Sequence, residues 1–259
     1  MKRIVRSSAV TVLVGLAVAA AASPAVAHPR SATHPRSAGR CVLPVFGPGA
    51  AYHPAVHPSD FRSDVTNRFF PLPPGRTYVY AGTKDGKKAI NVFAPSRRTA
   101  VVDGVRTRVV NDRLYLDGVL EERTTDYYAQ DRCGNVWYFG EDTATLDGSG
   151  RVVSTAGSFR AGVHGAQPGV YMQSHPQLRR TFRQEWSPGN AEDQFSSVAR
   201  DATVSVAYGT FRHALRTKET TSLEPAVVDN KYYVAGIGQV EEVAVRGPLE
   251  KLVLVDVLK

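Results

Sequence analysis

Apolar and polar positions alternate along most of this chain, and helical periodicity is nearly absent. Alternation with a period of two is the mark of a half-buried strand. Structure proper begins at Asn67-Arg68-Phe69-Phe70-Pro71-Leu72-Pro73-Pro74-Gly75-Arg76-Thr77-Tyr78-Val79-Tyr80, and four Asp-Gly pairs then punctuate alternating runs: Asp85-Gly86, Asp103-Gly104, Asp117-Gly118 and Asp147-Gly148. Asp-Gly between alternating runs signals a two-residue hairpin, because a type I′ turn needs positive φ at both central residues. Cys133-Gly134 adds a fifth turn, read as type I closed by a glycine bulge. Turns at this spacing predict an antiparallel meander in which each strand pairs with the next.

The densest stretch is 126–142, two aromatic strands around the Cys133-Gly134 turn. Neighbouring side chains on a strand point to opposite faces. Tyr127 and Tyr128 therefore cannot share a face, nor can Trp137 and Tyr138, and both faces of the hairpin are aromatic. One face belongs to the core; the other needs a second layer, the N-terminal arm or a ligand to cover it.

Residues 154–200 are less regular and contain Pro/Gly loops. Leu178, Phe182 and Trp186 fit one helical face, but Phe182, Gln184 and Trp186 also alternate, and strand is the preferred reading. From Asp201 alternation resumes. It flanks Tyr208-Gly209-Thr210-Phe211 and Gly236-Ile237-Gly238, and a β-branched final strand follows from Leu249 to Leu258. The fold class is all-β.

The N-terminus sets the compartment. Lys2, Arg3 and Arg6 precede an apolar run from Ala9 to Ala22, and Ala25-Val26-Ala27 is a small-x-small cleavage signal. This reads as a secretory signal peptide over 1–27 rather than a membrane anchor. No later apolar run reaches the ~18 residues of a membrane span. Residues 28–60 form a Pro/His-rich arm, and 61–259 a single β domain.

Of 32 basic residues three lie in the leader, which leaves 29 against 24 acidic, a net charge of +5. These charges are scattered rather than gathered on one segment, which argues against nucleic acid as a partner. Both cysteines, Cys41 and Cys133, lie beyond the leader. An even count in an exported protein favours a disulfide, and only one internal pairing exists; two free thiols are the alternative.

Candidate chemistry is sparse. Glu141, Asp142, Glu185 and Glu192 are the acids from which a hydrolytic pair could be drawn, since paired carboxylates cleave glycosides and aromatics nearby suit a sugar. Asp142, Glu192 and Asp193 could offer loop oxygens to calcium, but without EF-hand spacing. His53-x-x-x-His57 has prolines after both histidines, so a helical metal site is not expected. There is no nucleophile elbow and no phosphate loop, and no metal or cofactor is expected.

Three segments carry a resemblance. Phe70-Pro71-Leu72-Pro73-Pro74-Gly75-Arg76-Thr77-Tyr78-Val79-Tyr80, Val206-Ala207-Tyr208-Gly209-Thr210-Phe211 and Tyr232-Tyr233-Val234-Ala235-Gly236-Ile237-Gly238-Gln239-Val240 resemble the YFPLxPGxxWxY, VPxGTF and YxxGxGxV patterns of a family of uncharacterised secreted actinobacterial proteins. The resemblance implies a twisted antiparallel sheet curled into an open or partial barrel, like lipoprotein-type carriers. It implies no reaction.

The sequence thus supports a secreted, non-catalytic binding protein. Its curved sheet would hold a small apolar ligand or a cell-surface glycan against Tyr128, Trp137, Tyr138 and Trp186. An extracellular hydrolase using the acids above is the alternative, and a structural or protein-interaction module is a third.

Overall fold

The computed structural model describes residues 42–259. The expected signal peptide, the first part of the arm and Cys41 lie outside the described residues. Among the described residues there is no α-helix; single 3-10 turns occupy Gly49–Ala51 and Pro58–Asp60 in the arm.

Sixteen strands follow. A short β1 (Phe61–Arg62) precedes the meander β2 (Thr77–Lys84), β3 (Lys87–Val102), β4 (Val105–Leu116), β5 (Val119–Asp131) and β6 (Val136–Leu146). Five short pieces come next: β7 (Val152–Ser154), β8 (Phe159–Arg160), β9 (Gln167–Met172), β10 (Thr181–Arg183) and β11 (Glu185–Trp186). A second meander closes the chain: β12 (Asp193–Val206), β13 (Gly209–Thr221), β14 (Val228–Val234), β15 (Gly238–Arg246) and β16 (Glu250–Leu258).

The two meanders are joined by the pairing of first and last strands, β2 with β16, from Thr77↔Leu258 to Lys84↔Glu250. The sheet runs β10-β12-β13-β14-β15-β16-β2-β3-β4-β5-β6-β9-β11, antiparallel throughout. Its two ends are halves of one extended segment. β10 pairs with β12 and β11 pairs with β9, so residues 181–186 bridge the seam and nearly close a barrel. Gly169 permits this approach: a Cβ there would sit 2.4 Å from the Arg183 carbonyl oxygen.

The turns follow the chemistry expected of them, with one exception. Asp85, Asp103 and Asp117 have φ of 52°, 48° and 49°, and the glycines after them are also positive, as type I′ requires. Gly134 turns the aromatic hairpin at φ 86°. Asp147-Gly148 is different. Here Gly150 takes the positive φ, and Asp147 Oδ1 accepts the N–H groups of Ser149 and Arg151 at 3.0 Å each. The Asx turn formed by this carboxylate replaces the two-residue turn. Strand β12 also begins at Asp193, earlier than alternation suggests. Register shifts between Ser197 and Val204 hide its period.

Segment 65–72 plugs the barrel. Val65, Phe69, Phe70 and Leu72 are buried in one cluster with Tyr128, Tyr138, Leu215 and Tyr233. Asn67, only 4% exposed, ties the plug down. Its Nδ2 donates to the carbonyls of Gly134 and Gln173, at 2.8 and 3.3 Å, and its Oδ1 accepts the N–H of Phe69 at 2.9 Å. The arm and β1 instead cover the opposite aromatic face: Leu43 and Val56 of the arm and Phe61 of β1 pack in the cluster of Trp137 and Phe139. Both faces of the hairpin are thereby buried, one by the plug and one by the arm with β1.

Candidate functional site

Charged residues stand where the alternation of several strands calls for apolar ones. Asp112 follows buried Val110 by two positions on β4, Asp126 precedes Tyr128 by two on β5, and Lys231 precedes Tyr233 by two on β14. These side chains line two neighbouring hollows of about 100 and 170 Å³ inside the barrel. The hollows share Tyr128, Tyr171 and Lys231 in their walls. The first also has Asp112, Asp126 and Glu242; the second has Glu141, Glu185, Asp193 and Glu219.

A β-bulge decides which of the adjacent acids reaches this lumen. Tyr127 pairs with Gly140 but Tyr128 with Tyr138, so Phe139 is an extra residue on β6. An inserted residue reverses the in-out parity of everything after it. Glu141 consequently lies opposite Asp126 and faces the lumen, while Asp142 turns outward to Tyr127. Gly140 sits at φ 149°, and a Cβ on it would come 2.5 Å from the Phe159 carbonyl oxygen on β8.

The lumen contains both a platform and a charge network. Tyr128 and Tyr138 stack with ring centroids 4.7 Å apart and planes 19° from parallel. Tyr171 meets Tyr128 edge-on at 5.1 Å, and Phe70 from the plug lies 4.5 Å from Tyr171. Lys231 Nζ is 2.9 Å from Glu219 and 3.5 Å from Glu242. Glu219 also accepts the Thr217 hydroxyl at 3.1 Å. The Tyr138 hydroxyl donates to Asp126 at 2.6 Å. By contrast the Tyr128 hydroxyl, on a residue only 3% exposed, has no hydrogen-bond partner among the described residues, and neither has the Glu141 carboxyl.

Burial and mutual repulsion shift these groups. Burial first, then neighbouring acids such as Glu122, raise Asp112 to about 7 despite a hydrogen bond with Asn91. Asp126 is pushed well above the usual carboxylate range by burial and by Asp112. Glu141 is raised by burial, then by Asp126 and Glu185; Glu185 is raised by burial, then by Asp193. Burial alone would lower Lys231, but Glu219 and Glu242 outweigh it and hold the ammonium charged.

The residues singled out from sequence divide between two places. Tyr128, Tyr138, Glu141 and Glu185 meet in the lumen. Trp137 lies on the other face, its Nε1 donating to Asp131 at 3.1 Å and Phe61 edge-on at 5.6 Å. Trp186 is half-buried at the seam with the Arg183 guanidinium 4.3 Å over its ring and Gly49 of the arm against it. Asp142 is bound to Arg160 and accepts the Tyr127 hydroxyl at 2.8 Å. Glu192 is in an exposed loop and accepts the Gly189 N–H at 2.7 Å and the Ser222 hydroxyl. Asp142 and Glu192 thus have separate sets of partners while Asp193 borders the second hollow, and among the described residues no three His, Cys, Asp or Glu side chains are placed to hold a metal ion. His53 and His57 are exposed on the arm. Cys133 is disulfide-bonded; Cys41 lies outside the described residues.

Asp112, Asp126, Lys231, Glu219 and Glu242 were not singled out from sequence. The signal was present: Val110-x-Asp112-x-Leu114, Lys231-x-Tyr233 and Leu215-x-Thr217-x-Glu219 each carry polar groups in an apolar register.

No family model and no curated protein matches the sequence. Among solved structures, the chain is similar to a protein from Bacteroides fragilis described as exported and having a YmcC-like fold, at 17% identity and a TM-score of 0.43, over 74% of this chain and all of that one. It is also similar to a protein from Parabacteroides distasonis described as a lipoprotein, at 10% identity and a TM-score of 0.42, over 74% of this chain and 99% of the other. Neither likeness assigns a function.

Proposed function

We propose that this is a secreted binding protein that holds a small ligand in the lumen of its barrel without turning it over. The observation that carries the reading is Tyr128. It is buried and stacked on Tyr138, yet its hydroxyl, like the nearby Glu141 carboxyl, points at a hollow and bonds to nothing in the protein. Both groups border the hollow, where a partner from outside the chain, water or a ligand, can reach them. The lining favours a polar occupant such as a glycan unit over a purely apolar one. Pressing an apolar surface against these carboxyls would leave them desolvated and unpaired, at several kcal/mol. The hollows are below the ~300 Å³ of a drug-sized site, so the ligand is small. A bridge from Cys133 to Cys41 would fix the arm beside the hairpin and suits an oxidising compartment.

The hydrolase reading keeps one supporting observation: Glu141 and Glu185 face the same hollow and both hold their protons strongly. Chromogenic glycosides test it. Turnover abolished by Glu141→Gln would establish it over simple binding.

For the binding reading, native mass spectrometry of the protein secreted by its own host should show a bound species of small mass. Ligand-observed NMR with a panel of mono- and disaccharides and small polar molecules should find a saturable binder. Tyr138→Trp, which fills the hollow, should bind neither. Bare protein in the spectrum together with no saturable binder would overturn the proposal.

A further inference from the structure

The lumen has seven carboxyls in its two walls and one ammonium, Lys231. Lys231 is already committed to Glu219 and Glu242. The remaining five, Asp112, Asp126, Glu141, Glu185 and Asp193, are unevenly supplied with counter-charge. Asp126 accepts the Tyr138 hydroxyl and feels Arg113. The Arg113 guanidinium itself donates to the carbonyl of Thr124 at 2.6 Å. Lys84, which acts on Glu122, is held by Glu250 at 2.9 Å. Glu141 has the least: the charged groups acting on it most strongly, Asp126, Glu185, Glu122 and Asp193, are all carboxyls. Lys231 also acts on Glu185 and on the more exposed Asp193, which leaves Asp126 and Glu141 as the acids buried with least positive charge nearby, an arrangement costly to the empty fold. Aromatic faces line the same space, from Tyr128, Tyr138, Tyr171 and Phe70. Carboxylates beside aromatic faces are the means by which proteins recognise organic ammonium groups.

We infer that the group recognised in the lumen is the ammonium of a small organic cation, seated between Glu141 and the Tyr128–Tyr138 stack. This rests on the lumen-binding reading and specifies its ligand class. The carboxyls are spread along the two hollows rather than converging on a point, which suits an ammonium on a small carbon frame better than a bare metal ion. Two sources share this chemistry, an aliphatic amine and an amino sugar.

Calorimetric titration of the mature protein separates them from each other and from neutral ligands. The probes are 1,4-diaminobutane with 1,4-butanediol as its neutral isostere, and glucosamine with glucose. At least one amine should bind tenfold or more tightly than its isostere, and which one identifies the source. Its affinity should rise between pH 5 and pH 7, where the acids ionise to receive it while the amine stays protonated. Glu141→Gln should weaken it about tenfold while leaving thermal stability intact, and Asp256→Asn, on the exposed last strand, should leave it unchanged. Equal binding of amine and isostere would overturn the charge assignment and leave the lumen reading standing. Displacement of the amine by calcium at stoichiometric concentration would assign the site to a metal instead. An affinity indifferent to Glu141→Gln would remove the proposed seat, and no binding by any probe would overturn both readings.

Discussion

Gly140→Ala tests the feature that aims the site. At φ 149° a side chain adopts a region open essentially to glycine alone, at a cost on the order of 1–3 kcal/mol. The new Cβ would also lie 2.5 Å from the Phe159 carbonyl oxygen, well inside ordinary contact. Backbone cannot swing aside as a flexible side chain can, so β8 must retreat. That retreat strains the Gly140↔Arg160 pairing and the bond from Ala161 N to Phe139 O, at about 1 kcal/mol for each hydrogen bond lost. A loss of about 2–4 kcal/mol is expected in urea denaturation. If the chain instead relaxes by removing the bulge, β6 regains strict alternation after Phe139. Glu141 then exchanges faces with Asp142, and lumen binding is lost even where stability recovers. A variant within 0.5 kcal/mol of wild type that also keeps its ligand affinity would refute the role assigned to the bulge.

Other expectations follow from the same geometry. Asp112 has a folded-state value near 7 against an ordinary 3.8, so its stabilising contribution is complete below about pH 4 and is lost as pH rises through 7. At ~1.36 kcal/mol per unit this reaches about 4 kcal/mol, an upper bound because the carboxyl borders a hollow large enough for water. Asp112→Asn should flatten the pH profile of the urea midpoint and exceed wild type at pH 7.5; superimposable profiles would contradict this. Asp131 accepts the N–H groups of Cys133 and Asn135 at 2.9 Å each, the Asn135 amide at 2.8 Å and the Trp137 indole at 3.1 Å, and is 5% exposed. Asp131→Ala strands these donors and should cost about 3 kcal/mol or more, read as a drop in melting temperature; a shift of under 2 °C would show the tip to be self-supporting. Asn67→Ala should cost about 2–3 kcal/mol and accelerate amide exchange at Phe69 and Phe70, whereas unchanged exchange there would mean that the plug is held by packing alone.

Alternation and turn chemistry determined the strand content, the order of the first meander and its four turns, because period and positive φ are local properties of the chain. The double aromatic face of 126–142 also followed from alternation alone. Tertiary structure decided the rest. Trp137 and Trp186 are aromatic like Tyr128 and Tyr138 but lie against the arm: alternation separates Trp137 from Tyr138 without saying which face encloses the hollows, and Trp186 is placed at the seam by the pairing of β11 with β9. Glu141 and Asp142 are adjacent and look equivalent in sequence; one extra residue in a ladder, placed by the approach of β8 to Gly140, sends the first into the lumen and the second to Arg160. The acids of the lumen come from strands scattered over more than a hundred residues; each can be read singly as a polar group in an apolar register, but nothing local joins one to another. They become a site only because pairing of β2 with β16 and the bridge at 181–186 curl the sheet until their side chains share one low-dielectric space. Local periodicity records which face a residue occupies; it does not record what that face will enclose.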